Sequence, residues 1–544
     1  MTILPPPRAR CLAAAALLPL IAGCLSVGPD FRAPEWDGPE AWSATNAPVA
    51  SPLPDGAPWW SVFGDPVLDA LEAELLEQNL SLAAAVARLD SAAAQLGATR
   101  AGLAPSADLS ASAAYDRQSG EVHGSGSKVP DNPDWLFSPG ASFSWELDFW
   151  GRVRRSVEAA SADLDSAAQN VRDSRRLLAA RLASSYLALR TLQTRLDFAR
   201  GNAALQTDTL ELVKARRNAG LSGDLDLRQA EMNLASTRAS IPPLEAQIDS
   251  ALNSICTLLG RYPGSKDELR EPAPVPLPDD AALPASLPAD LLRNRPDVAA
   301  ALASFHAAVA RIGAAKAELY PRVSLGGSFV FAATGTDNLF KDNAQNYSVG
   351  PSIQWPVFSA GRLRNQVRAM EAAARAAEAR FRETVLSAVA ECETALSSRR
   401  HAVEVLDDLR AAATAAEEAA NLSDSLYRTG LTDFQNVLDM QRQLASNRDA
   451  LAQGVGAAAS ALVDVWKAFA GPDTPSPAAE ETHAEAAETA EPESHAENAE
   501  TAESISHAES AESAEPRPGE AGPLPEGAAE RSKAGGVSHA EAAE

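Results

Sequence analysis

Cysteine and histidine are the side chains here most able to do chemistry, and their spacing argues against catalysis. Of four cysteines, Cys256 and Cys392 fall in helical patterns far apart, with no CxxC and no histidine beside either. They read as small buried residues and not as metal ligands or a disulfide. His123, His306 and His401 stand alone, each a structural or exposed residue before it is a catalytic one. The single SxxK spacing, Ser125 to Lys128, lies in a Gly/Ser-rich loop and is short enough to arise by chance. HExxH, GxSxG, Walker and GxGxxG patterns do not occur. The sequence therefore reads as a non-enzyme without a metal site or a bound cofactor. His483, His495 and His507 recur every 12 residues in an Ala/Glu/Ser-rich run. Weak metal binding and a merely solvated tail both fit that run, and the solvated tail is the simpler reading.

Cys24 offers a different chemistry. Residues 1–23 have the make-up of an export signal, with Arg8 and Arg10 ahead of "CLAAAALLPLI", an apolar run too short to span a bilayer. It closes on "IAGC", with Ala22 and Gly23 directly before the cysteine. That arrangement resembles the lipobox of bacterial lipoproteins, where the peptide is cut before the cysteine and its thiol is acylated. An ordinary signal peptide would lead to the same compartment, the cell envelope. The lipobox adds a covalent lipid on Cys24, and Leu25 is not the aspartate that retains lipoproteins at the inner membrane.

The elements left to position anything are long helices. Hydrophobic residues make up 45% of the 544, but aromatics only 5%, a balance suited to close-packed, alanine-rich helices. The net charge of −26 is uneven: residues 471–544 carry 18 acidic against three basic side chains, a net of −15 that leaves −11 for the rest. Such a stretch cannot bury enough apolar surface to fold alone, and reads as an acidic disordered tail. No basic patch points to nucleic acid.

Between Trp59 and Gly471 the chain says everything twice. "GATRAGLAPSADLSASA" from Gly97 matches "GAAKAELYPRVSLGGSF" from Gly313. "FSPGASFSWELDFWGR" from Phe137 matches "YSVGPSIQWPVFSAGR" from Tyr347. "NAGLSGDLDLRQAEMNL" around Gly220 matches "RTGLTDFQNVLDMQRQL" around Gly430. The offsets are 216, 210 and 210, an internal duplication. In each copy a helix stops at a proline (Pro105, Pro321), a strand and its return follow, and a helical run of 69 residues begins at Gly151 or Gly361. Each run breaks at Gly220 or Gly430. Leu178, Leu182, Leu189, Leu192 and Leu196 have coiled-coil spacing. Shorter helices are expected over 224–258 and 288–320, interrupted by "EPAPVPLPDDAALPASLP" and stacked end to end beside a full-length one about 100 Å long.

The four expected strands alternate apolar and polar residues. Ala141, Phe143, Trp145, Leu147 and Phe149 face one way, and Ser142, Ser144, Glu146 and Asp148 the other. That pattern suits a membrane-spanning barrel with a wet lumen. Four strands cannot close a barrel, and an open edge is forbidden in lipid, so spanning would require several chains to share one barrel. Trp145, Trp150, Tyr347 and Trp355 lie near strand ends, where an interfacial belt and packing in the strand-to-helix junction are both open readings. Trp59 and Trp60 are expected to anchor the N-terminal segment on the helices.

With these stretches in view the chain resembles the outer membrane factors, TolC-like efflux channels, in the lipoprotein branch of the nodulation-protein-T type. The resemblance covers roughly Cys24 to Gly471. It rests on "CLSVGPDFRAPE", "WWSVFGDPVLDALEAELLEQN", "LPADLLRNRPDV", "AELYPRVSLGGS" and "VLDMQRQLASNRD", all in family order. It implies an all-α periplasmic helical barrel continuing from a 12-stranded membrane β-barrel, made by a homotrimer in a Gram-negative outer membrane. An inner-membrane RND-type transporter and a periplasmic adaptor would drive small-molecule efflux, the adaptor meeting the hairpin tips at Gly220 and Gly430. The family's periplasmic gate would fall on Asp439 and Arg442, though the same pair could be a plain i, i+3 surface contact. Gln435 stands where relatives often carry an apolar second constriction, a departure that puts that ring in question. Type I protein secretion or heavy-metal cation export on the same fold is the alternative, with a structural coiled-coil lipoprotein more remote. The expected layout is a signal peptide at 1–23, a lipid-anchored segment at 24–62, repeats at 63–270 and 288–470 about a Pro-rich linker at 271–287, and the tail at 471–544.

Overall fold

The computed structural model describes residues 26–35, 38–39, 41–42, 57–116, 134–278, 283 and 295–470. The chain divides into Met1–Ala484 and Glu485–Glu544, the latter wholly outside those residues. The expectations for Cys24, the signal peptide, the acidic tail with its histidines, His123, and Ser125 with Lys128 also lie outside them.

Two passes through one plan make up the rest. In the first, α1 (Pro66–Gln78) and α2 (Leu80–Arg100) lead to strands β1 (Ser106–Ser110) and β2 (Ala113–Asp116). Strands β3 (Asp134–Phe137) and β4 (Gly140–Leu147) return to α3 (Arg152–Asn218), and α4 (Asp224–Leu258) runs back. In the second, α5 (Pro296–Ala317), β5 (Arg322–Phe331), β6 (Gln345–Gln354), α6 (Arg362–Thr429) and α7 (Phe434–Ala468) repeat the order.

Local chemistry sets the boundaries. Asp65 caps α1 by accepting from the Val67 and Leu68 N–H groups, and Pro66 occupies the first turn where no donor is needed. Asn79 caps α2 through the Leu82 N–H and also donates to the Leu258 carbonyl at 2.6 Å, tying the N-terminal helices to the end of α4. The long helices have 67 and 68 residues, about 100 Å each. Both start behind a left-handed glycine, Gly151 (φ 78°) and Gly361 (φ 85°), which lets the chain turn sharply out of the sheet. α5 begins at Pro296 and not at residue 288 as the sequence suggested. A proline disfavours helical backbone in the residue before it, and Arg295 is extended (φ −83°, ψ 119°).

The leucine seam of α3 is real: Leu182, Leu189 and Leu196 are buried, with Leu178 and Leu192 packed at its margin. They join Leu68, Leu71 and Leu75 of α1, Ile255 of α4 and Leu462 and Trp466 of α7 in the main core. Trp59 and Trp60, in a short turn ahead of α1, are buried in the same cluster. α4 and α5 both lie against α3, the stacking expected of two shorter helices beside a long one. Cys256 and Cys392 are buried free thiols.

Six strand segments appear among the described residues where four strands were expected, because the first hairpin is interrupted. Ser106 pairs with Ser144 and Ala113 with Phe137 in one continuous register, but Pro139 has no N–H to give the ladder between them. The Ser112 and Ser138 backbones bond reciprocally across the gap at 3.3 and 2.8 Å. The sheet order is β1-β4-β5-β6, all antiparallel. Its two edges, β1 and β6, are unpaired in the single chain.

Residues directly opposite in an antiparallel ladder share a face, so the register sorts the side chains. Leu109, Ala141, Phe329 and Tyr347 form one row, and Leu147, Val323 and Ile353 another on the same face. The intervening rows are Asp108, Ser142, Ser328, Ser348, then Ser106, Ser144, Gly326, Gly350, then Glu146, Ser324, Ser352. The apolar face is uncovered: Leu109 is 88% exposed, Tyr347 81% and Ile353 71%.

The two long helices differ in one respect. α3 buries 25 residues, whereas α6, one residue longer, buries 14.

Candidate conduit and gate

At the base of the sheet the polar face meets the helices. The Arg152 guanidinium holds the Glu146 carboxylate through two hydrogen bonds of 2.8 Å, and Arg322 approaches the same carboxylate at 3.7 Å. Glu146 is the group that holds the Arg152 proton most firmly, pushing that guanidinium's pKa further up against the cost of burial. Asp148 caps the same turn, its carboxylate accepting from the Arg154 N–H at 2.9 Å and from the Arg154 guanidinium at 3.3 Å. The alternation pattern placed Glu146 and Asp148 on the wet face, but their arginine partners could not be read, because i, i+6 contacts require the Gly151 turn. A cleft of about 440 Å³ opens here, lined by Glu146, Trp150, Arg152, Tyr320, Arg322 and Trp355, among others.

The predicted aromatics separate by height. The Trp145 indole donates to the Leu103 carbonyl (2.8 Å), Trp150 to Pro321 (2.8 Å) while stacking on Tyr320, and Trp355 to Leu319 (3.1 Å). All three satisfy carbonyls where helix gives way to strand. Tyr347 is not with them; it lies toward the far end of the sheet beside Phe329.

An N-terminal strap crosses this junction. The Val27 N–H donates to the Trp150 carbonyl at 3.1 Å, Asp30 binds Arg155 at 2.6 Å, and Phe31 stacks on His306 with centroids 4.4 Å apart. Gly28 touches the backbone of Gly313, so a side chain at either would part the strap from α5.

At the opposite end the two helical hairpins turn at Gly220 (φ 74°) and Gly430 (φ 79°), with Leu221 and Leu431 exposed beside them. Arg216 bonds the Tyr427 carbonyl at 2.9 Å and lies over its ring, joining one hairpin to the other. Gln435, Asp439 and Arg442 follow on α7 in one chain of contacts. Gln435 donates to Asp439 at 3.2 Å, Arg442 stands 3.9 Å from Asp439, and Arg442 reaches Asn233 of α4 at 3.3 Å. Both members of the ion pair are about half exposed. Asn233, which sequence reasoning missed, is buried and keeps an unbonded amide nitrogen. Among the described residues no group of His, Cys, Asp and Glu could hold a metal.

Comparison with known proteins agrees with this geometry. A profile described as "Outer membrane efflux protein" matches residues 71–261 and 287–471. The chain belongs to the outer membrane efflux protein family, and its relatives are efflux channel proteins. It is 34% identical over 484 residues to Nodulation protein T of Rhizobium leguminosarum bv. viciae, covering 87% of this chain and 97% of that one. To the pyoverdine export outer membrane protein OpmQ of Pseudomonas aeruginosa it is 31% identical, over 84% of this chain and 96% of that one. The outer-membrane channel OprN superposes with a TM-score of 0.76 at 33% identity, over 83% of this chain and all of that one. The open state of the Neisseria gonorrhoeae MtrE outer membrane channel gives 0.71 at 26% identity, over 83% of this chain and all of that one.

Proposed function

We propose that this chain is the outer membrane conduit of a tripartite efflux system, passing small molecules from an inner-membrane RND-type pump and a periplasmic adaptor to the exterior. The observation that carries the reading is a sheet with one apolar face, one Ser/Gly-rich polar face and two open edges. In lipid such edges must be paired. Three copies would close one 12-stranded barrel with the polar rows inward, and acylated Cys24 would fix each copy to the membrane. Tryptophans at the base and Tyr347 toward the outer end suit the two interfaces of a bilayer.

The gate lies at Gln435, Asp439 and Arg442, where half-exposed charges on α7 are tied to Asn233 of α4. The tips at Gly220 and Gly430, with exposed Leu221 and Leu431, meet the adaptor. In planar bilayers, replacing both Asp439 and Arg442 by alanine raises single-channel conductance; unchanged conductance would sink the gate assignment. Purification in mild detergent, with mass spectrometry of co-purifying proteins, tests the partners. A proton-driven exporter with an adaptor supports efflux, whereas an ATP-driven secretion transporter would replace it with protein export.

A further inference from the structure

The duplication maps α2 onto α5, α3 onto α6 and α4 onto α7. Packing inside one copy recurs inside the other: α2 on α3 reappears as α5 on α6, and α3 on α4 as α6 on α7. Packing that crosses from the first copy to the second does not recur. β4 on β5, α3 on α5 and α3 on α7 have no counterpart among the described contacts, and α6 is the helix left uncovered.

We propose that the uncovered face of α6 binds α2 and α4 of a second copy of this chain, joined by two ion pairs: Arg368 with Asp90, and Asp408 with Arg238. The pairs follow from the offsets of 216 and 210. His306 contacts Glu158 at 3.0 Å across α5 and α3, and shifting both positions gives Asp90 and Arg368. The Arg448 guanidinium lies 5.8 Å from the Phe198 ring across α7 and α3, and its image is Arg238 with Asp408. The Arg195–Asp449 pair at 2.6 Å maps to Val405 and Ala239. Each image is complementary in new chemistry, opposite charges in two cases and apolar atoms in the third, which nothing inside one chain requires.

The four charged residues are exposed, and none has an ion-pair partner among the described residues. Among the described residues Arg368 bonds Asn365 at 3.4 Å, and Arg238 bonds Thr207 at 3.4 Å. By helical periodicity Arg368, Leu386 and Asp408 share one line along α6, on the side away from buried Phe381, Cys392 and Leu406. Leu386 on that line is 71% exposed, and Val405 beside it 53%. A ring of identical chains would cover them and would bring β6 against β1.

The proposal rests on the shared barrel, and crosslinking separates the two. In Asp90→Cys/Arg368→Cys, treated in native membranes with a short bis-maleimide, neighbouring chains should join and the band shift from monomer to a closed covalent oligomer. Either single variant should stay monomeric, as should Glu158→Cys/His306→Cys, which links within one chain. Asp408→Cys/Arg238→Cys gives an independent second pair should the first not fold. Native oligomers of wild-type mobility without interchain links from either pair would overturn this interface and leave the barrel standing. A wild-type protein that is monomeric in its membrane would overturn both.

Discussion

Glu72 is fully buried, and neither carboxylate oxygen has a hydrogen-bond partner. Burial pushes its carboxyl well above the ordinary range, and Asp69 adds to the push. The folded protein therefore holds this proton more tightly than the unfolded chain. Stability from it is complete below the unfolded carboxylate pKa and is lost as pH rises from there through the folded value. Glu72→Met, which fills the site without a charge, should raise the thermal midpoint at pH 7 and change it little at pH 4. A larger gain at pH 4 would contradict the assignment. Arg399 is also buried, with the Ala458 carbonyl as its partner at 2.9 Å, and burial lowers its pKa. Its image in the first copy is Leu189, a core residue. Arg399→Leu should be neutral or stabilising, since an uncompensated buried charge contributes little that packing does not. Thermal unfolding in detergent measures it. Neither residue could be picked out from sequence, where each lies among ordinary helical charges. The candidate gate at Asp439 and Arg442 was legible only through family resemblance. Asn233, 209 positions from Arg442, was not legible at all.

Single elements were far easier to read. Helix and strand boundaries followed from Pro105, Pro321, Gly151, Gly361 and the alternation of β4, because each acts on its own backbone or face. The failures were Pro139, whose missing N–H splits a strand only once its partner is known, and Pro296, which starts α5 eight residues late. The glycines at the two junctions are equal in sequence and unequal in place. A Cβ on Gly151 would lie 2.8 Å from Ser26 Oγ and 3.1 Å from Ser26 Cα, whereas one on Gly361 meets nothing nearer than Asn365 at 3.8 Å. Left-handed backbone costs either alanine about 1–2 kcal/mol. Gly151→Ala should cost more than Gly361→Ala, because it also displaces the strap. Thermal midpoints of the two variants, with limited proteolysis of the N-terminal segment, compare them; equal losses would refute the difference.

At the scale of the molecule, the fold closes at Phe469, which packs edge-on against Trp42 with centroids 5.1 Å apart. Truncation after Ala470, which removes the acidic tail, should leave the unfolding midpoint and the conductance unchanged. Truncation after Ala468 should lower the midpoint by taking a buried aromatic from that cluster. A drop on removing the tail alone would assign it a structural part. The polar rows of the sheet carry one more consequence. Ser142, Ser328, Ser348, Gly326 and Gly350 are nearly as short as side chains can be, so in the proposed barrel the bore at these five positions is set by the backbone, and only Asp108 and Glu146 in these rows offer length to trim. A laboratory selection for strains that expel a new, bulkier toxin should then recover changes at the hairpin ends or in the pump, and almost none at these five positions. Evolution has little left to widen there.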